Sequence, residues 1–280
     1  MKERILVAEE TKAEYKQRVA EKRLKDWMAK TFHGQFHKKT ADLVDPVKSV
    51  RWITDGHLKK HTESLLMAAQ EQALRTRYIK WAIDKTTDNP KCRWCGEINE
   101  SVQHLVAGCS TLANSEYTER HNQAASIVHW RMCQKYGIDV PKKSYRHIPL
   151  PVIENEKVKI LWDVNIYTDK LIHARRPDIV VVDKSAKKVT LIDMAVPADK
   201  NILEKEKEKV AKYQDLKMEL QRIWKMKVTV VPVVIGALGS VPKDQEQWLK
   251  ELGLEEADHV AMQKVALLGT AKILRKTLTL

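Results

Sequence analysis

A short β-hairpin is the feature that most constrains how this sequence can fold. Residues 179–182 (IVVV) and 189–192 (VTLI) are apolar and rich in β-branched side chains, and a charged loop separates them. This pattern predicts two antiparallel strands joined by a tight turn. If residues 184–187 form a four-residue loop, then Asp183 lies opposite Lys188. The hairpin therefore fixes the register of the strands on either side of it.

The same register brings two acidic residues together. Counting outward from a four-residue loop, Asp178 lies opposite Asp193. Residues that face each other across an antiparallel pair share one face of the sheet, with Cβ atoms about 5 Å apart. Two carboxylates held that close repel each other unless a cation lies between them. A loop of odd length would instead place the two acids on opposite faces.

The segment after the hairpin predicts a helix that packs on the sheet. Asp199 is a candidate N-cap, and Lys209 falls on the apolar face. That face is formed by Ile202, Tyr213, Leu216, Leu220 and Trp224. Lys205 and Lys212 lie to its side, so Lys209 is the leading candidate of three lysines, and the alternatives stay open. Glu206 lies near the same face and is a weaker candidate, either as a further metal ligand or as a partner of Lys209.

Two acids and a lysine suit metal-dependent hydrolysis of a phosphodiester. In this interpretation Asp178 and Asp193 hold Mg²⁺, which lowers the pKa of an attacking water. Lys209 then stabilises negative charge on the phosphate. The net charge of +13 fits a polyanionic partner, although basic composition alone is weak evidence for one.

A second motif predicts a structural metal. Cys92, Cys95, His104 and Cys109 follow the spacing C-x2-C-x8-H-x4-C. Three thiolates and one imidazole suit tetrahedral Zn²⁺, and four protein ligands leave no position for a substrate. We therefore expect this metal to support folding. A rival set exchanges His104 for Cys133, but Cys133 is more simply a core thiol.

The motifs carry a resemblance. Pro177-Asp178 followed by Asp193 resembles the PD-(D/E)xK restriction-endonuclease-like superfamily, although Ala195 occupies the position of the usual lysine. One branch takes that lysine from the next helix. The sequence is similar to the restriction-like endonuclease region, preceded by a CCHC zinc knuckle, of site-specific non-LTR retrotransposon polyproteins. The resemblance implies catalytic roles for Asp178, Asp193, Lys209 and Tyr213, and a DNA contact for Arg176.

The resemblance also implies a fold and a function. We expect an α/β restriction-endonuclease-like core, a mixed sheet with a β-hairpin flanked by helices, over 151–280. A helical region with the zinc element would span 51–150 and a helical arm and linker 1–50. The implied function is DNA nicking for target-primed reverse transcription in the nucleus. The alternative is a catalytically inactive, zinc-containing nucleic-acid-binding protein. Implied partners are DNA, element RNA and a reverse transcriptase domain encoded upstream, and no membrane segment is expected.

The remaining elements are predicted from periodicity and composition. Helices are expected over 3–31, 62–83, 243–252 and 257–276, a strand over 160–167, and a central strand over 228–235 that Pro232 ends or bulges. Arg75 and Arg77 form a basic cluster that is either a solvated face or a DNA contact. His121 and His129 are predicted to be structural or solvated side chains. Asp163 and Asp169 are interpreted as surface acids.

Overall fold

A computed structural model describes residues 11–279 of the chain. Twelve α-helices are present in this part of the chain: α1 (Lys12–Met28), α2 (Gln35–Thr40), α3 (Pro46–Thr54), α4 (Lys60–Gln70), α5 (Arg77–Ile79), α6 (Val102–Ala107), α7 (Ser110–Leu112), α8 (Thr118–Lys135), α9 (Ile202–Lys212), α10 (Gln214–Trp224), α11 (Gln245–Leu252) and α12 (Glu256–Leu278). Short π-helical turns follow α5 and α7. The first residues of the helix predicted over 3–31 lie outside the described part.

Five strands form one mixed sheet with the order β1-β2-β3-β4-β5. They are β1 (Val152–Glu154), β2 (Val158–Trp162), β3 (Ile179–Asp183), β4 (Lys188–Ala195) and β5 (Lys227–Val234). The first four strands are antiparallel neighbours, and β5 runs parallel to β4. A parallel return needs a crossover, which α9 and α10 provide. The chain is therefore a mixed α/β protein.

The predicted hairpin register is confirmed. Asp183 pairs with Lys188 and Ile179 pairs with Ile192, so the loop has four residues. Ile179 and Ile192 are the last pair, and the same register carried one residue further would set Asp178 opposite Asp193. An even loop keeps the two acids on one face of the sheet.

Helices cover both faces of the sheet. On one face, side chains of β3 and β4 such as Val181, Ile192 and Met194 pack with α8, α11 and α12. On the other face, the alternate residues Val180 and Leu191 pack with α10 and with Tyr213. Because side chains alternate along a strand, Asp193 falls on the same face as Leu191. A separate apolar cluster surrounds the cysteines and joins the helices of the first half to α12.

The last strand lies at the edge of the sheet, so the prediction of a central strand was wrong. Helices on both faces bury β5, which explains its continuous apolar run. Pro232 pairs with Asp193 within an unbroken register, without a bulge or strand end. Proline is tolerated because an edge strand hydrogen-bonds on one side only, and the missing N–H need not belong to the ladder.

The predicted single helix after the hairpin is two helices. α9 ends at Lys212, and Tyr213 adopts φ −104° and ψ 13° before α10 begins. The ring of Tyr213 is fully buried against the sheet, and its hydroxyl donates to Asp193 Oδ1 at 2.5 Å and lies 3.0 Å from the carbonyl oxygen of Arg176. These tertiary contacts offset the interrupted helix, and helical periodicity alone does not reveal them. The helix predicted over 62–83 is likewise interrupted, between α4 and α5.

Asp199 does not cap the helix as predicted. It lies in the 3₁₀ turn Asp199–Asn201, where its buried carboxylate accepts hydrogen bonds from the backbone N–H groups of Leu238 and Ser240 at 2.9 and 3.0 Å. Gly236 lies so close that a Cβ atom there would sit 2.1 Å from Asp199 Oδ1. The glycine thus lets the loop after β5 close over this acid.

Candidate functional site

Four cysteine and histidine side chains converge as the spacing predicts. The ligand atoms of Cys92, Cys95, His104 and Cys109 all lie within 4.8 Å of one another. Cys92 Sγ is 3.9 Å from Cys109 Sγ, and Cys95 Sγ is 3.4 Å from His104 Nε2. A tetrahedral zinc site requires about 3.8 Å between two sulfurs and about 3.6 Å between sulfur and nitrogen, given Zn–S of about 2.3 Å and Zn–N of about 2.0 Å. The cluster therefore has the spacing to hold a metal ion such as zinc.

Local turns fix these four ligands. The N–H of Gly96 donates to Cys92 O at 2.8 Å, closing the turn between the first two cysteines, and Gly96 has φ 71°. A residue with a side chain would be strained in this left-handed conformation. The N–H of Trp94 points at Cys92 Sγ, at 3.4 Å. Ser101 caps α6 by accepting from the N–H of His104. The ligands are thus positioned by short-range structure.

The alternative ligand set, with Cys133 in place of His104, is wrong. Cys133 lies on α8 and belongs to a different group of side chains. Burial raises the pKa of the Cys92 thiol to about 11, so the metal-free thiol stays protonated at neutral pH. A bound cation would displace that proton, which is why such sites couple metal binding to folding.

The second acid of the hairpin is enclosed by three side chains. Asp193 is 2% exposed. Its Oδ2 forms an ion pair with Lys209 and receives no further hydrogen bond. Its Oδ1 accepts from the Tyr213 hydroxyl at 2.5 Å and lies 3.7 Å from Lys212 Nζ. Burial and the negative charge of Asp193 raise the pKa of Tyr213, so its hydroxyl remains a donor.

Of the three candidate lysines, Lys209 makes the closest contact with the acids. Lys205 pairs with Glu208 at the surface, at 2.5 Å. Glu206 accepts a hydrogen bond from the indole N–H of Trp248, so it joins neither Lys209 nor the acids and the weaker prediction for it was wrong. Lys212, predicted to lie to the side of the packed face, nevertheless comes near Asp193 because α9 ends there.

The first acid is held by a histidine. Asp178 Oδ2 lies 3.1 Å from His121 Nε2 and accepts from the N–H of Met194 at 2.6 Å. Burial would raise the pKa of Asp178, but the hydrogen bond and charge of His121 outweigh burial and hold that pKa below its usual value, with a smaller contribution from Lys209. Burial would likewise lower the pKa of His121, but Asp178 raises it to about 9. The pair is therefore ionic at neutral pH.

A cleft opens beside the first acid. It has a volume of about 480 Å³, and its lining includes Arg120, His121, Trp162, Asp163, Arg176 and Asp178. Arg176 is exposed and forms an ion pair of 2.7 Å with Asp163, so Asp163 helps to orient the predicted DNA contact. Asp178 thus lines a polar opening with an arginine at its side, whereas Asp193 is not among the lining residues.

Arg75 and Arg77 lie elsewhere. Arg75 forms an ion pair with Asp84 at 3.3 Å and is largely exposed. The guanidinium of Arg77 donates to the carbonyl of Lys91, beside the cysteine loop. The backbone N–H of Arg77 donates to the carboxylate of Glu100. Arg77 is therefore tied to the cysteine loop, Arg75 to Asp84, and neither lines the cleft beside Asp178.

Sequence reasoning missed His121 as a neighbour of the acids. His121 lies on α8, which ends more than forty residues before the first strand of the hairpin begins. No periodicity connects the two elements, so only their packing could reveal the contact. Lys212 was kept as an alternative to Lys209, three residues before it on the same helix, and it lies 3.7 Å from Asp193 Oδ1.

Neither a scan against protein-family models nor a search of the curated proteins gives a match for this chain. No helix within residues 11–279 combines the length and the apolar composition needed to cross a membrane.

Proposed function

We propose that the chain is a metal-dependent DNA endonuclease with a restriction-endonuclease-like core. The observation that carries this proposal is the meeting of three groups at one end of the hairpin. The hairpin register, extended one residue beyond its last pair at Ile179 and Ile192, would set Asp178 opposite Asp193. Lys209 contacts Asp193, and its charge also acts on Asp178. A purely structural sheet does not need two acids side by side in a semi-buried position.

Asp178 and Asp193 are the residues that would hold Mg²⁺. Their carboxylate oxygens are the ligands that this ion prefers, and Asp193 Oδ2 has no hydrogen-bond donor besides the lysine that contacts it. When bound, Mg²⁺ would lower the pKa of an attacking water and offset charge on the phosphate. The donor set therefore fits the ion.

The other side chains have separate roles in this proposal. Lys209 stabilises negative charge that develops on the phosphate. The Tyr213 hydroxyl fixes the orientation of Asp193 through its hydrogen bond. His121 fixes Asp178 in the same way from the opposite side. Arg176, exposed at the rim of the cleft, contacts the DNA backbone.

The family resemblance supplies the biological setting of the proposal. The chain would nick target DNA so that a 3′ hydroxyl primes reverse transcription in the nucleus, together with a reverse transcriptase domain and the element RNA. The cysteine cluster would hold structural Zn²⁺. The net charge of +13 supports a nucleic-acid partner.

Nicking of supercoiled plasmid at low salt with added Mg²⁺ tests the proposal. We expect Asp178→Ala and Asp193→Ala to abolish nicking while salt-dependent DNA binding survives, because DNA binding depends on basic side chains elsewhere. Asp139→Ala, an exposed acid, is the matched control and should nick like the wild type. Equal cleavage by the wild type and both site variants would contradict the proposal.

A second candidate is a nucleic-acid-binding protein without catalysis. The observation that favours it is that both acids already have cationic partners: His121 pairs with Asp178, and Lys209 and Lys212 pair with Asp193. Mn²⁺ binding followed by electron paramagnetic resonance separates the two candidates. An endonuclease should bind Mn²⁺ in a manner that Asp193→Ala abolishes, whereas the inactive binder should show no site that depends on Asp193.

A further inference from the structure

A second group of metal-ligating side chains lies on the sheet side of α8. His129, Cys133 and His147 place their ligand atoms within 4.8 Å of one another. We propose that these three residues form a second metal site, for Zn²⁺ or a similar transition-metal cation, with a fourth position open to water. This site is independent of the cysteine cluster and of the acid pair.

Two parts of the chain build the group. His129 and Cys133 are four residues apart on α8, so they project from the same side of the helix. His147 follows the 3₁₀ turn Ser144–Arg146 in the connector between α8 and the sheet. The indole N–H of Trp130 donates to the carbonyl of Pro141 and fixes the start of that connector. The third ligand is thus brought back over the helix that carries the first two.

The observed distances are close to those of a metal site. Cys133 Sγ lies 3.6 Å from His129 Nδ1, and His129 Nδ1 lies 2.7 Å from His147 Nε2. A tetrahedral zinc ion would need about 3.6 Å and about 3.3 Å for these two edges. The sulfur–nitrogen edge already fits. The two imidazoles must separate by about 0.6 Å, which exchanges their hydrogen bond for two metal bonds.

The difference in burial allows His147 to move away from His129, but not the reverse. His129 and Cys133 are 0% exposed, whereas His147 is half-buried in an otherwise exposed connector. The first two ligands are therefore fixed by packing, and His147 can move. The ring of His129 also meets Trp162 edge-on at 5.6 Å, which holds its orientation.

The donor set indicates the class of metal. Two imidazoles and one thiolate suit Zn²⁺ and its spectroscopic substitute Co²⁺, while Mg²⁺ and Ca²⁺ prefer oxygen ligands. Within residues 11–279, no fourth His, Cys, Asp or Glu joins the group. Since His147 borders solvent, water would complete the coordination. Such a metal would fasten the connector to α8, the helix whose other end presents His121 to Asp178.

Metal content measured on the purified full chain after zinc loading tests the proposal. We expect two zinc ions for each wild-type chain, one at each group of ligands. His147→Gln and Cys133→Ala should each hold one. His173→Gln, which changes an exposed histidine, is the matched control and should retain two. A single ion in the wild type, or two ions in a folded His147→Gln variant, would overturn the proposal.

Two further readouts apply to the wild-type chain, so the test does not depend on a variant that folds. Titration with Co²⁺ should give two successive absorption changes, and the weaker thiolate-to-cobalt band belongs to the one-cysteine site. The second equivalent of Zn²⁺ should slow tryptic cleavage after Lys142, Lys143 and Arg146, which are exposed in the connector, by roughly ten-fold. One cobalt phase, with no change in cleavage, would also reject the second site.

Discussion

The cysteine cluster and the acid pair are both candidate metal centres, but only the acids have cationic side chains as partners. In the cluster, four ligand atoms converge without any cationic side chain among them, at spacings that suit a tetrahedral ion. In the acid pair, His121 pairs with Asp178 and Lys209 with Asp193. The cluster therefore offers a ligand set that an external cation can occupy in exchange for thiol protons, whereas the acids already have cationic partners within the chain.

Because of this difference, a metal ion at the cysteine cluster and a metal ion at the acid pair should contribute differently to the stability of the fold. A structural zinc supplies folding free energy, because the unfolded chain has no preformed site. A Mg²⁺ ion at the acid pair would instead compete with Lys209 for Asp193, so its net effect on stability should be small. We expect metal loss to unfold the first region and to leave the second folded but inactive.

The largest expected effect on stability comes from removing a ligand of the cysteine cluster. Cys109→Ser removes a buried ligand. We expect the midpoint of thermal unfolding to fall by about 10 °C or more, because structural zinc contributes many kcal/mol and each kcal/mol corresponds to about 2 °C or more in a chain of this size. Differential scanning calorimetry measures the change. Glu97→Gln, an exposed acid in the same loop, should leave the midpoint unchanged, and equal midpoints for both variants would refute zinc-dependent folding.

The next effect concerns the buried ion pair. Asp193→Asn leaves Lys209, only 17% exposed, without its counter-ion, and should lower the free energy of unfolding by about 3 kcal/mol. Lys209→Met in the same chain should restore part of that loss, since the stranded charge is gone. Urea denaturation measures both. The exposed pair of Arg176 and Asp163 is the control, and Asp163→Asn should change stability by less than about 1 kcal/mol.

No recovery in the double variant would mean that Lys209 reaches solvent once Asp193 is neutral. The contrast between the two regions would then be weaker, because Lys209 would not be a buried cation that depends on Asp193.

The smallest effect sharpens the comparison within the hairpin. Tyr213→Phe removes the hydrogen bond to Asp193 and should lower the free energy of unfolding by about 1–2 kcal/mol. It should also reduce nicking without abolishing it, because the acid loses its orientation. Tyr136→Phe removes a hydrogen bond of 3.0 Å to Asp183 at the far end of the same hairpin. That control should lose similar stability and keep full nicking.

If both tyrosine variants nicked plasmid at the same rate, Tyr213 would have a structural role alone. The ratio of the two nicking rates, measured at saturating Mg²⁺, decides between these outcomes.

Short-range rules were sufficient for the hairpin and for the cysteine cluster. The strand pairing depends on a loop of four residues, and the register of the two strands follows directly from that number. The cluster depends on spacing within one stretch of the chain and on turns such as the one at Gly96. In both cases the interacting residues are near in sequence, so few alternative arrangements compete.

Contacts between distant elements could not be predicted in the same way. The interruption at Tyr213 follows from a hydroxyl that reaches Asp193 and Arg176 across the sheet. The edge position of β5 is decided by how the crossover packs, since an apolar run looks the same in a central strand. His129, predicted to be structural or solvated, meets His147 only because the connector folds back on α8.

The sequence by itself determined which residues could form a tetrahedral cysteine–histidine cluster and the hairpin register that leads to Asp178 and Asp193. Both follow from local geometry: the turns around the cysteines and the two-residue period of a strand. Tertiary structure decided which cations meet those acids, because His121 and Lys209 arrive from helices on opposite sides of the hairpin. It also brought His147 to Cys133, since closing a long loop depends on the packing at both of its ends.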